Sequence, residues 1–495
     1  MSEKRYFKIY ATRHVIGNEN NYVKLFDTLE SQVESNDEKL KKKLKNSAIS
    51  NNLSKHKHYL YNLILRSLNA FHLDSSFDSR FREMMCSVEI LFEKGLYRQC
   101  WKILKRAREL ATTLEKIPEL LVLSTWEQAI LAKSSQYEKL DISIQNDLAL
   151  IKNLESERLI KQNVFLVYSQ MMKMGIGRSD YDIKKLHKLV YNPIISESKT
   201  ENFWSTHLIY AAYSVYFSII DDNKNYHAYN QKIVDLFEGK SLFISERPNF
   251  YIIALNNLCN AKLKTGKYDE VKAVIEKIRA IPDKYSVSLN RNTLANIIFD
   301  TTDIEVVCCL NKGEFEQGRN IIERNIKEVE KNKYFVTKSV ELSFYFNAAY
   351  TYFILGQHDQ CIKWLNKILN DTETEVRQEL HNISNIFSLI VHFELGNFSL
   401  VDYLIRSTCG EILKHDELYP IENVMISFFT KSLKITKRKN ISNEYLSTHL
   451  KLQQMIEDPY TKKILEYFDF MSWVESKIEN KPFNFILQKK IMAKM

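Results

Sequence analysis

Five of the chain's eleven glycines open the same short phrase, and this repetition restricts the fold more than any other feature. The phrases are Gly95-Leu-Tyr97-Arg-Gln-Cys100, Gly266-Lys-Tyr268-Asp-Glu-Val271, Gly313-Glu-Phe315-Glu-Gln-Gly318, Gly356-Gln-His358-Asp-Gln-Cys361 and Gly396-Asn-Phe398-Ser-Leu-Val401. Each follows one apolar run and precedes another, so the glycine reads as a C-cap that ends one helix two or three residues before the next begins. Degenerate copies at Ser135/Tyr137, Ser179/Tyr181, Lys224/Tyr226 and Asn443/Tyr445 extend the series to nine hinges, separated by 40 to 47 residues. A period of about 43 residues is two helices of some five turns each plus two turns. The position nine after each hinge tests the register: Leu104, Ile144, Lys188, Ile233, Ile275, Ile322, Leu365, Ile405 and Leu452. Eight of these nine are aliphatic in a chain that is 45% hydrophobic, so the pattern continues into the second helix.

Composition agrees. At 495 residues the chain is several domain lengths long, which favours an elongated or repetitive architecture over one globular core. Glycine and proline number 11 and 7, too few for a protein built from strands and tight turns. The seven cysteines are odd in number and include no CxxC pair, which suggests reduced, mostly buried thiols. The amino terminus lacks the apolar stretch of a signal peptide, and no run approaches 18 uninterrupted apolar residues. The expectation is a cytoplasmic protein with no membrane partner. Net charge is +9, and residues 1–60 supply +5 of it, with 12 Lys/Arg against 7 Asp/Glu.

The phrase Gly-x-aromatic-x-x-small, an aliphatic nine residues on, and prolines 16 residues after the hinge at Pro282 and Pro459 resemble the tetratricopeptide (TPR) consensus. Pro193 lies close to that place, at +14. The strongest match runs from Asn257 through Asn260 and Ala261 to Gly266, Tyr268 and Val271. Asn347-Ala-Ala-Tyr350-Thr-Tyr352-Phe-Ile-Leu-Gly356 matches almost as well. The resemblance covers about residues 75–475 and departs from the family in its longer period, in three hinges without glycine and at Lys188. The whole chain also resembles an uncharacterised family of bacterial TPR-like proteins of this size, which carries no function. The resemblance implies an all-α fold: an α-α superhelix, or TPR-like solenoid, of about nine helix-hairpin repeats. Residues 1–74 form a basic helical N-terminal cap region, 75–475 the solenoid, and 476–495 a C-terminal capping helix with a basic tail.

Catalytic signatures are absent: no GxSxG, HExxH, Walker A or kinase set occurs, and Gly175-Ile-Gly177 lacks the strand and third glycine of a phosphate loop. No cofactor is expected and the chain reads as a non-enzyme. Cys308 and Cys309 point about 100° apart on a helix, so they read as core cysteines, and His56 and His58 alternate with cation-repelling lysines. In TPR proteins the first helix of each repeat lines a groove, where amides nine and six residues before the hinge hydrogen-bond an extended peptide. Those columns hold Asn257, Asn260 and Asn347, with Tyr350, as the candidate groove. Ile304/Val307 and Phe387/Ile390 interrupt it, and the competing reading is that the asparagines cap or bridge helices inside the stack. Trp204, Tyr210, Tyr213 and Tyr216 read as packing between repeats. The expected function is a scaffold or adaptor that binds a protein or peptide. The alternative is a peptide-sensing regulator whose Lys41, Lys42, Lys43, Lys45, Lys55 and Lys57 contact nucleic acid. That alternative is not favoured: no arginine lies between 14 and 65 to read guanine, and a solvated lysine face is the simpler reading.

Overall fold

Left-handed backbone positions end the helix that precedes each glycine phrase. The computed structural model describes residues 2–13, 20–31, 40, 43–44, 52–73, 76–174, 180–285, 289–373, 376–412, 420–434 and 438–494. Every regular element among them is helical. All five phrase glycines have positive φ, between 71° and 74°. Each also makes the paired capping bonds of a Schellman turn. At Gly356 the Gly356 amide bonds Phe353 O at 2.9 Å and the Gln357 amide bonds Tyr352 O at 2.9 Å. Ser135 adopts the same conformation without being glycine, with φ 54°.

The chain divides into two units, Met1–Glu155 and Ser156–Met495. The first holds α1 (Glu3–Thr12), α2 (Asn21–Glu30), α3 (Leu53–Phe71), α4 (Phe77–Glu93), α5 (Tyr97–Thr113), α6 (Ile117–Lys133) and the start of α7 (Tyr137–Met174). Helices α1 to α3 enclose a small cluster of Phe7, Leu25, Leu40, Leu44, Leu53 and Leu60. A separate cluster around Phe77, Val88, Cys100, Leu104 and Leu123 joins α4, α5 and α6.

The second unit continues with α8 (Asp180–Val190), α9 (Pro193–Ser196), α10 (Phe203–Ile219), α11 (Asn223–Gly239), α12 (Ser241–Glu246), α13 (Pro248–Lys264), α14 (Tyr268–Lys284), α15 (Arg291–Lys312) and α16 (Phe315–Asn332). A 3-10 turn, Lys333–Phe335, leads to α17 (Lys338–Ile354), α18 (His358–Leu369), α19 (Gln378–Glu394), α20 (Phe398–Ile412), α21 (Pro420–Ser432), α22 (Arg438–Gln454), α23 (Pro459–Tyr467), α24 (Phe470–Ile478) and α25 (Phe483–Lys494).

Consecutive long helices pair: α10 with α11, α13 with α14, α15 with α16, α17 with α18, α19 with α20, and α21 with α22. The first helices of neighbouring pairs also touch in sequence, α13 to α15, α15 to α17, α17 to α19 and α19 to α21. Between α13 and α15 the Thr293 hydroxyl donates to Asn249 Oδ1 at 2.8 Å, and Asn256 Nδ2 donates to Asp300 Oδ2 at 2.8 Å. Both contacts join residues 44 apart and lie seven residues from one another, so the two helices run parallel at a fixed offset. Asn347 Nδ2 donates to Asp303 Oδ1 at 2.8 Å, again 44 residues away, which carries the offset on to α17.

The hinge register needs correction at three places. The expected hinge at Lys224 lies inside α11, and the left-handed residue is Asp221, with φ 55°. Asn443 lies inside α22, so no hinge occurs there. Glu115, with φ 53°, makes a further turn between α5 and α6 that no glycine announces. Of the residues nine after each hinge, Leu104, Ile233, Ile275, Ile322, Leu365, Ile405 and Leu452 are buried, but Ile144 and Lys188 are exposed. Ser179 and the Gly175-Ile-Gly177 segment fall outside the described residues. Among the described residues no helix is long and apolar enough to cross a membrane.

A β-carbon added at Gly356 would meet nothing within 4 Å, so the backbone alone sets the cost of replacing it. Gly356→Ala is expected to destabilise the chain by about 1 kcal/mol, and Ser135→Gly to stabilise it by somewhat less, both read from urea unfolding midpoints.

Candidate functional site

The face of α13 follows from its spacing. Ile253, Asn257 and Asn260 are separated by four and three residues and so share one side of the helix. Ile253 is 54% exposed, Asn260 is exposed and Asn257 is half-buried. Neither Asn257 nor Asn260 makes a side-chain hydrogen bond to another described residue, so both amides keep donor and acceptor for an incoming group.

The adjacent asparagine on the helix is engaged. Asn256 donates to Asp300 on α15, and its own Oδ1 is buried without a partner among the described residues. Asp303, one turn further along α15, accepts from Asn347 on α17. Two carboxyls on one helix are thus held between amides from the helices on either side. Burial, then the charge of Asp303, raises the Asp300 carboxyl to about 7, against the pull of the Asn256 bond. Burial also raises Asp303 to about 6, opposed by the Asn347 bond and by the positive charge of Arg377. Arg377 is itself tied in: its guanidinium donates to Ser343 Oγ at 2.9 Å and to the Tyr467 hydroxyl at 3.1 Å.

The candidate groove residues therefore separate into two groups. Asn347 bridges helices, and Tyr350 is packed against Phe387, Phe468 and Phe483 at ring-centroid distances of 6.3, 5.4 and 6.3 Å. Burial pushes the Tyr350 phenol well above its ordinary range. The intervening columns are apolar: Ile304, Phe387 and Ile390 are buried and Val307 packs against the core. Asn257 and Asn260 alone among the four remain available.

The helices after α22 explain the loss of Tyr350. Phe468, at the end of α23, packs on Phe353 and Phe387 at 5.5 and 4.7 Å between ring centroids. Trp473 on α24 is fully buried against Phe428 and donates from Nε1 to Glu394 Oε1 at 2.7 Å, where Lys477 joins it at 2.6 Å. Residues in α23, α24 and α25 thus pack on first helices of earlier hairpins, and on the second helices α22 and α16 as well. Sequence reasoning missed Asn256, Asp300 and Asp303; the constant 44-residue offset between polar residues was the signal that could have found them.

The remaining candidates are placed as follows. Lys41, Lys42 and Lys45 lie outside the described residues. Lys43 is exposed, with its amine 3.5 Å from Ser31 Oγ. Lys55 is exposed and Lys57 half-buried on α3, and two residues of separation turn them about 200° apart, so they do not share a face. His56 meets the Tyr22 hydroxyl at 3.3 Å. Trp204 sits among Phe237, Phe243 and Phe250, and the Tyr216 hydroxyl meets His187 Nδ1 at 2.8 Å, so both are packing residues. Cys309 is buried and its thiol is pushed up to about 12 by burial, which leaves it unreactive, while Cys308 bonds Tyr268 O at 3.7 Å. Among the described residues no group of three or more His, Cys, Asp or Glu side chains is placed to hold a metal ion.

No protein-family model matches the chain, and no curated protein matches it by sequence.

Because both carboxyls have pKa values raised above the unfolded value of about 4, the native chain holds protons that the unfolded chain releases. Their contribution to stability is full below about pH 4 and is lost as pH rises through about 6 to 7. Asp300→Asn keeps an acceptor for Asn256 and removes the charge. It is expected to stabilise the chain against wild type by roughly 2 kcal/mol at pH 8 and by little at pH 4 in urea unfolding; an equal difference at both pH values contradicts this reading.

Proposed function

We propose that the chain is a non-catalytic, TPR-like α-solenoid that holds a protein or peptide segment along the first-helix face at α13. The observation that carries this reading is the pair of unengaged amides, Asn257 and Asn260, beside the exposed Ile253 on one side of that helix. An extended segment offers alternating N–H and C=O groups, and an amide side chain pairs with both at once. The exposed isoleucine supplies apolar contact that such polar pairing lacks. The recurrent glycine turns and the 44-residue offset between parallel first helices support the repeat architecture, which presents side chains of several hairpins along one line.

The scaffold role follows from what this surface offers. Amides and aliphatic groups recognise backbone and shape without activating a bond, and the buried thiols are held in their unreactive form. On this reading Asp300 and Asp303 are structural: they fix the spacing of α13, α15 and α17 and so the geometry in which the α13 amides are displayed.

The test is capture of a partner from native cells, followed by the double substitution Asn257→Ala with Asn260→Ala. Both residues are at least partly exposed, so the change is expected to leave the unfolding midpoint within about 0.5 kcal/mol of wild type. Loss of two charge-neutral hydrogen bonds is expected to weaken partner binding by tenfold or more. Retention of the partner at wild-type affinity would reject this face as the binding surface.

A further inference from the structure

The C-terminal helix α25 lies against the α15–α16 turn and the C-terminal end of α17. Leu487 is buried in one cluster with Phe315 and Ile354, and Phe483 and Ile491 pack against that cluster beside Leu310, Tyr350 and Leu355. The fit is close at the turn between α15 and α16, where a β-carbon on Gly313 would stand 3.6 Å from Gln488 Cγ and 3.8 Å from Ile491 Cδ1. The seated residues Phe483, Leu487 and Ile491 fall at i, i+4 and i+8, one face of an amphipathic helix laid into a groove. One ion pair orients it, Lys490 with Glu475 at 2.6 Å.

The helices before it are built differently. Phe468, Phe470, Trp473 and Val474 are all 1% exposed or less and belong to the main core of the unit. On α25, Phe485 and Met492 are 49% and 67% exposed and face away from the seat. A short turn separates the two parts, with Asn480 left-handed at φ 52° and Pro482 before the helix. Residues 459–478 are therefore core, whereas α25 joins that core through Phe483, stacked on Phe468 at 5.9 Å, and otherwise packs on one side after a defined joint.

We propose that α25 is a displaceable resident ligand, and that its seat on α15, α16 and α17 takes a basic amphipathic helix of the same apolar register from a partner. The seat includes α15, which packs directly on α13, so a partner on α13 that continues onto the seat at α17 competes with α25 for it. In this wider use the inference rests on the scaffold reading, but the exchange of α25 itself does not.

Two measurements on the full chain test it. In hydrogen exchange, amides of 483–494 are expected to open locally and exchange at least tenfold faster than those of 470–478. Equal protection would overturn the proposal. In the second, a fluorescein-labelled peptide of residues 482–495 is titrated against wild type and against Leu487→Asp with Ile491→Asp, which weakens the resident helix and leaves the seat intact. The variant is expected to bind the peptide at least tenfold more tightly than wild type, and a peptide carrying the same two aspartates is expected to bind neither. Equal binding to both chains, or none to a variant whose circular dichroism and melting match wild type, would overturn it. If that variant fails to fold, Lys490→Gln, which removes the pair with Glu475 without adding a charge, is expected to speed exchange of α25 selectively, and unchanged exchange would count against the proposal. Loss of the α13 partner leaves these readouts unaffected, so the two readings fail separately.

Discussion

Hydrogen bonds between parallel first helices govern the second unit. Asp300 and Asp303 sit one turn apart on α15, and each is held by an amide from a different neighbour, Asn256 of α13 or Asn347 of α17. Apolar packing is permissive about register, because a helix can slide by a turn and still bury similar area. A buried carboxyl without its amide costs far more than such a slip gains, so these rungs fix the 44-residue offset where aliphatic contacts would tolerate several. The raised carboxyls are the cost of that specificity, and the fixed offset is what lines up side chains from successive hairpins.

The rest of the face divides according to what already covers it. On α13 the side-chain amides of Asn257 and Asn260 make no hydrogen bond to a described residue. On α17 and α19 the corresponding places hold Tyr350, Phe387 and Ile390, aromatic or aliphatic residues that require a cover; Phe468 packs on Tyr350 and Phe387, and Phe483 on Tyr350. An amide can face solvent at little cost and a phenylalanine column cannot. The change from asparagine to phenylalanine along the hairpins therefore marks where the chain covers itself.

The helical hairpins were legible in the sequence wherever a glycine makes the turn, because left-handed backbone is costly for every other residue and the chain spends glycine there. Glu115, Ser135, Asp221, Arg377 and Asn480 adopt that conformation as well, so turns without glycine were found by spacing at Ser135, misplaced by three residues at Lys224, and missed at Glu115. Asn443 was read as a hinge because a tyrosine follows two residues later, but that tyrosine is a buried residue of α22. The site was less legible. Periodicity identifies Asn257 and Asn347 as equivalent, yet only the fold shows that Asn347 has a carboxyl across from it. The fold back of residues 459–494 pairs positions more than 100 residues apart, such as Phe353 with Phe468, and no local pattern encodes that.

The most direct test of the account is a double-mutant cycle on the rung between α15 and α17, with Asp303→Ala, Asn347→Ala and the pair compared by urea unfolding at pH 8. If the rung joins the two helices as described, the effects are strongly non-additive, with a coupling of about 1 kcal/mol or more. Strictly additive effects would show that these side chains do not meet, and the fixed offset on which the proposed binding face depends would fall with them.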